Sequence, residues 1–195
     1  MKIFKNNKKS GFTLIELLVS LFIIALMTGI FLANYRQGER QSDLILTGQL
    51  LVSDIRFAQA NALGLVMYEG NIPDGGWGVY FDKTNNNNDE YIIFADLDED
   101  KFYDVGEANE DHGGRIMKLP NNIEIVNLEV INSSNLSSSS VNELNIVFLP
   151  PMPKTFINGY YITENKRAII TLRETNLNEE IKVKVNFAGL IEVYE

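Results

Sequence analysis

The sequence predicts an α+β fold, in which one long amino-terminal α-helix, transmembrane in its first half, packs on an antiparallel β-rich head. Two observations carry this. No proline interrupts residues 12–63, which run apolar first and amphipathic afterwards. Beyond residue 64, short β-type runs alternate with turn residues. The 195 residues suffice for one domain of ordinary size and an appendage. A composition of 45% hydrophobic and 22% charged residues excludes general disorder.

The chain opens on a short basic stretch, with Lys2, Lys5, Lys8 and Lys9 and no acidic residue before Glu16. Residues 17–35 then carry no charge and are nearly all apolar. A membrane-spanning helix needs about 20 such residues. The positive-inside rule keeps the amino terminus in the cytoplasm and sends the rest outward. The run is too long for the core of an ordinary secretory signal, about 7–15 residues. Its small residue, Gly11, also precedes the apolar stretch instead of following it.

A plain single-pass anchor accounts for the run but not for Glu16. A carboxylate in hydrocarbon is penalised by a few kcal/mol unless neutralised or paired. The nineteen residues between Glu16 and Arg36 are all uncharged, so no cation lies close by. Cleavage between Gly11 and Phe12 would create an α-amino group four residues before Glu16. Amine and carboxylate could then satisfy each other within or between subunits.

Residues 8–16, KKSGFTLIE, followed by the long apolar run, resemble the class III signal of type IV prepilins and pseudopilins. The resemblance implies a leader of residues 1–11 removed by a prepilin peptidase, and methylation of the Phe12 amine. It further implies that Glu16 pairs with the amino terminus of a neighbouring subunit in a helical filament. Major pilins often carry a proline within the apolar segment; this chain has Gly29 as the only comparable soft point.

Past the membrane, Leu44, Gly48, Leu51, Ile55, Ala58 and Ala62 recur at spacings of three and four and so share one helix face. That face reads as core, and Gly64 as the helix end. The helix accordingly spans 12–64, with 12–35 in the membrane or filament core, and the head spans 65–195. Candidate strands lie at 77–81, 90–95, 123–131, 144–149, 168–173, 181–187 and 190–194. The asparagines at 85–88 mark a hairpin tip and the serine-rich 133–140 a loop, while Pro150, Pro151 and Pro153 interrupt pairing. GWGVYFD, YIIFADLDEDKFYDVGE and the closing KVKVNFAGLIEVYE resemble the head of H-type minor pseudopilins of type II secretion and type IV pilus systems.

The net charge of −9 is concentrated: residues 82–111 hold eleven acids and two bases, and the remainder is neutral. Within that window Asp96, Asp98, Asp100, Asp104 and Glu107 stand at positions 1, 3, 5, 9 and 12, with Phe102 offering a backbone carbonyl at position 7. This is calcium-loop spacing, and hard cations prefer such oxygens. Lys101 departs from it at position 6, where glycine is usual. The two readings are a structural Ca2+ that stiffens the loop and a solvated acidic turn; no other cofactor is indicated.

The absence of cysteine excludes a disulfide framework and thiolate chemistry. His112, the one histidine, sits in a polar turn and reads as a surface residue. No nucleophile elbow or phosphate loop occurs, so no enzyme is expected. The leading expectation is a structural subunit, single-pass in the cytoplasmic membrane with its head outside, then drawn into a pilus or pseudopilus. Its partners would be prepilin peptidase, other pilin or pseudopilin subunits, the membrane and the assembly platform machinery. The alternative is a tip-located or membrane-tethered binding module for adhesion or DNA uptake. DNA is disfavoured, because no basic track is visible.

Overall fold

The computed structural model describes residues 11–84, 88–108, 110–132, 137–150, 154–159 and 166–194, the side chains of residues 33 and 34 apart. The basic stretch up to Ser10, the middle of the asparagine tip (85–87), the first half of the serine-rich stretch (133–136), Pro151 and Pro153 lie outside the described residues. One helix, α1, runs Leu14–Leu63. The chain divides into two compact units, one ending at Glu39 and one running Arg40–Glu195.

In the first unit α1 is long and apolar enough to cross a membrane, and its most apolar window buries nothing inside the protein. The described side chains from Phe12 to Leu32 are all exposed. A helix suits such surroundings because it satisfies its backbone polar groups internally. Its few hydroxyls do likewise: Ser20 Oγ donates to the Leu17 carbonyl at 2.9 Å and Thr28 Oγ1 to the Ile24 carbonyl at 2.8 Å. The helix continues unbroken through Gly29.

The second unit surrounds the rest of α1 with two five-stranded antiparallel sheets. The strands are β1 (Gly76–Asp82), β2 (Glu90–Asp96), β3 (Arg115–Lys118), β4 (Ile123–Asn132) and β5 (Ser137–Val141). They continue with β6 (Glu143–Leu149), β7 (Lys154–Ile157), β8 (Lys166–Glu174), β9 (Glu179–Asn186) and β10 (Ile191–Tyr194). Sheet I has the order β3-β2-β1-β6-β7 and sheet II the order β10-β9-β8-β4-β5. The helix stripe is core as its spacing implies: Leu44, Leu51, Ile55, Ala58 and Ala62 are at most 2% exposed. They cluster with Trp77, Val79 and Phe81 of sheet I and with Leu128, Ile170 and Val183 of sheet II. Each fully buried Leu or Ile contributes about 1.5–3 kcal/mol. Gly48 lets the helix approach sheet II, for a Cβ there would overlap Ile181 Cδ1.

Polar contacts fix the same helix at its flanks. Tyr91 donates to Asp54 Oδ2 at 2.5 Å, and burial, followed by that carboxylate, pushes the phenol well above its ordinary range. Arg56 and Gln59 donate to the carbonyls of Ile191 and Gly189, which ties the β9–β10 end of sheet II to α1.

Three details differ from the sequence reading. Gly64 does follow the helix, but the left-handed residue is Leu65, at φ +51°. Leu65 N–H donates to the Ala62 carbonyl at 3.2 Å and Val66 N–H to the Asn61 carbonyl at 3.0 Å, a Schellman ending with leucine where glycine is usual. The second half of the serine-rich stretch is strand β5, paired from Leu128↔Val141 to Asn132↔Ser137. There β4 supplies the template, and Ser138 and Ser140 reach Glu129 and Asn127 across the pair. β3 and β7 were also unmarked in the sequence. Both are edge strands of sheet I, each held by a single ladder.

Gly76 combines φ +94° with a position where an added Cβ would overlap the Phe148 carbonyl oxygen of the neighbouring strand. Gly76→Ala is therefore expected to cost about 2 kcal/mol or more, since both strain and backbone displacement are required. For a chain of this size that is a fall of about 4–8 °C in melting temperature. Gly38→Ala, in open space on α1, should leave the melt unchanged or raise it slightly. Thermal unfolding in detergent compares the two.

Candidate functional site

The amino-terminal site begins with Gly11, Phe12 and Thr13, exposed and non-helical before α1. Among the described residues nothing lies within 4 Å of where a Gly11 Cβ would stand. Thr13 is the N-cap, and its carbonyl accepts the first helical bond from Leu17 at 3.1 Å. Glu16 stands at the third helical position. Its N–H donates to Thr13 Oγ1 at 3.3 Å, and its Oε2 accepts from Thr13 N–H at 3.5 Å. This reciprocal pair is a capping box.

Glu16 therefore has a local occupation that charge-based reading of the sequence missed. The T-x-x-E spacing at 13–16 was the available signal. A carboxylate at a helix amino terminus also complements the helix dipole. The contact from Thr13 N–H to the carboxylate holds the side chain near the helix start but supplies no counter-charge. The new amine that cleavage would create on Phe12 belongs to the residue immediately before this cap.

The acidic loop follows β2 and connects to β3 through the short 3-10 turn Glu110–His112. It brings the sequence-marked acids together in two overlapping groups. Asp96, Asp98 and Glu107 offer oxygens within 4.8 Å of one another, and so do Asp98, Asp100 and Asp104. Asp96 and Glu107 are buried, whereas Asp98, Asp100 and Asp104 are exposed. Asp96 accepts from the N–H groups of Glu99 at 2.8 Å and Lys101 at 3.0 Å. Glu107 accepts from Leu97 at 2.8 Å and Asp104 at 2.9 Å, closing the loop onto its start.

Lys101 adopts φ +72°, the left-handed conformation that glycine takes at the corresponding calcium-loop position. Its ammonium lies 3.2 Å from Asp96 Oδ2. It thus supplies a positive partner to one carboxylate of the set. Burial still pushes the Asp96 carboxyl above its ordinary value, against the pull of Lys101 and the two N–H donors. Burial likewise raises Glu107, with Asp96 and Asp98 adding to it. Phe102 is half-exposed, its N–H bonded to Asp100 Oδ1 at 2.7 Å.

Aromatic side chains that the sequence reading left unassigned hold this loop in place. Tyr103 stacks on Tyr80 with ring centres 5.1 Å apart, and its N–H donates to Asn145 Oδ1 at 3.0 Å. Tyr68 donates to the Gly106 carbonyl at 2.9 Å and packs edge-on against buried Trp77. His112 is exposed and lies against the same Tyr68 ring.

Residues 6–32 match the family model of the prokaryotic N-terminal methylation motif. No curated protein and no solved structure matches the chain. The matched segment covers most of the apolar run of α1 and the capping box, along with residues 6–10 outside the described residues. It supports a type IV pilin-like subunit, for which the motif implies processing by prepilin peptidase and assembly with other pilin subunits. The long apolar helix and the antiparallel sheets are consistent with the α+β pilin fold.

Proposed function

We propose that this chain is a structural subunit of a type IV pilus or type II secretion pseudopilus, of the H-type minor class. The observation that carries the reading is the methylation motif lying on a helix whose most apolar window buries nothing within the protein. Prepilin peptidase cuts after Gly11, and the freed Phe12 amine is methylated. Until assembly the helix is held in the cytoplasmic membrane, with the head outside the cytoplasm. Assembly exchanges lipid contacts for contacts between neighbouring helices. Glu16 pairs with the amine of an adjacent subunit, which lowers the cost of burying either charge and sets the register.

The acidic loop is the second functional element. Its donors are hard oxygens, the chemistry calcium selects, and burial raises the carboxyls of two of them, Asp96 and Glu107. Asp96, Asp98, Asp100, Asp104, Glu107 and the Phe102 carbonyl would hold Ca2+. When bound, the ion supplies positive charge that offsets carboxylate repulsion. The residues themselves shape and close the loop.

The capping box makes the central role separable. Glutamine preserves the reach-back hydrogen bond of a capping box but removes the charge. Glu16→Gln is expected to insert and fold as the parent does, yet fail to enter filaments or enter them out of register, as Glu16→Ala also would. Co-purification with sheared filaments reads this. Incorporation of Glu16→Gln at the parent level would reduce Glu16 to a helix cap.

The loop makes its own prediction. Because Asp96 and Glu107 are raised, the ion-free folded loop binds more protons than the unfolded chain above the ordinary carboxylate value of about 4. Its stability therefore falls as pH rises through that window, and is lowest at neutral pH. Calcium should slow amide exchange in residues 97–104 at neutral pH and have less effect near pH ~4, where the raised Asp96 and Glu107 carboxyls hold their protons. Exchange unaffected by chelator at neutral pH would contradict the calcium assignment.

A further inference from the structure

The acidic loop carries a cation of its own, placed more closely than an ordinary surface ion pair. Glu99 and Lys101 both take left-handed backbone, at φ +68° and +72°, a conformation that residues other than glycine seldom adopt. One acceptor holds Lys101 there twice: its N–H donates to Asp96 Oδ2 at 3.0 Å and its ammonium to the same oxygen at 3.2 Å. The ammonium also donates to the Glu99 carbonyl at 2.8 Å. It lies 5.7 Å from the centre of the Phe156 ring on edge strand β7, within cation–π reach. The lysine side chain is 12% exposed and that of Asp96 is fully buried. Lys101 thus folds back over the carboxylate, where a surface lysine would keep its charged head in water.

Asp96 is fixed from its other side. Its second oxygen accepts from Glu99 N–H at 2.8 Å. A Cβ added to Gly75 would overlap the carboxylate, so the backbone there closes over it. An ion that takes Asp96 as a ligand must therefore come to the side where the ammonium stands. Asp98 and Glu107 place oxygens within 4.8 Å of the same carboxylate, so an ion shared by the three would meet that ammonium at short range. Like charges so close repel strongly. The four-carbon stem of lysine gives the head a way out into solvent, which a rigid partner would lack.

We infer that Lys101 is the resident cation of the acidic loop, and that calcium takes Asp96 only as the Lys101 ammonium withdraws. The inference rests on the calcium reading of the loop and adds the residue that sets its threshold. Two consequences follow from the one contact. Without a divalent ion, Lys101 keeps the loop closed around Asp96. With one, the work of displacing Lys101 weakens binding, so the loop answers to abundant calcium and ignores traces. A lysine with a merely structural role would act differently, since its loss would loosen the loop and weaken the ion's hold together.

Lys101→Met keeps the stem and the backbone N–H but removes the charge, and Lys101→Arg keeps the charge. Full chains in detergent are titrated with CaCl2 by calorimetry at neutral pH, and amide exchange of residues 97–104 is followed in EDTA. Lys101→Met is expected to bind calcium about tenfold or more tighter than the parent. In EDTA its loop should exchange several-fold faster, and calcium should restore protection. Lys101→Arg should resemble the parent in both measurements. Lys101→Gly, which also relieves the left-handed strain, should bind calcium at least as tightly as Lys101→Met. Calcium binding by Lys101→Met no tighter than the parent's would overturn the displacement and leave the calcium reading standing, as would exchange in EDTA unchanged by that substitution. Absence of calcium binding in all four chains would sink both.

Discussion

A lone carboxylate at the head of an apolar helix is the constraint from which the rest follows. Glu16 cannot pass into hydrocarbon unaccompanied without a penalty of a few kcal/mol. Its contact with Thr13 N–H, at 3.5 Å, holds it at the helix start without supplying a counter-charge. A counter-charge must come from elsewhere, and on the proposed reading cleavage after Gly11 would produce one four residues away. That cut would leave the long helix intact, so the chemistry proposed to remove the leader would also prepare the pairing group.

One helix serves two solvents, and its sequence changes accordingly. Before Glu39 its apolar side chains face outward on all sides, as lipid or neighbouring helices require. From Arg40 onward one apolar stripe is buried, and that stripe is the spine of a core shared by two sheets. Asp54, Arg56 and Gln59 flank it with hydrogen bonds to Tyr91, Ile191 and Gly189. Arg56 and Gln59 also satisfy carbonyls near the β10 edge of sheet II that would otherwise be open to pairing.

The parts of this structure legible in the sequence are those governed by local pattern. The three-and-four spacing from Leu44 to Ala62 located the buried helix face, and the apolar runs located the strands paired on both sides, such as β1 and β8. Edge strands β3, β5 and β7 were missed because one ladder to a neighbour suffices to hold them. In β5 four serines adopt a strand that their composition opposes, since β4 dictates the register. The acidic spacing was visible, but the split into buried Asp96 and Glu107 and exposed Asp98, Asp100 and Asp104 needed the fold. So did the clamp of Tyr68, Trp77 and Tyr103 around the loop. Thr13 was within reach, because the capping-box spacing was present and overlooked behind the charge of its partner.

The account rests on a charged amine appearing beside Glu16 in the working protein. Mass spectrometry of the amino-terminal peptide from chains recovered in membranes and filaments measures this directly. The predicted peptide begins at Phe12 and carries one methyl group on its α-nitrogen. A peptide that retains residues 1–11 would mean that no such amine forms, and the pairing on which assembly is argued would have no partner for Glu16.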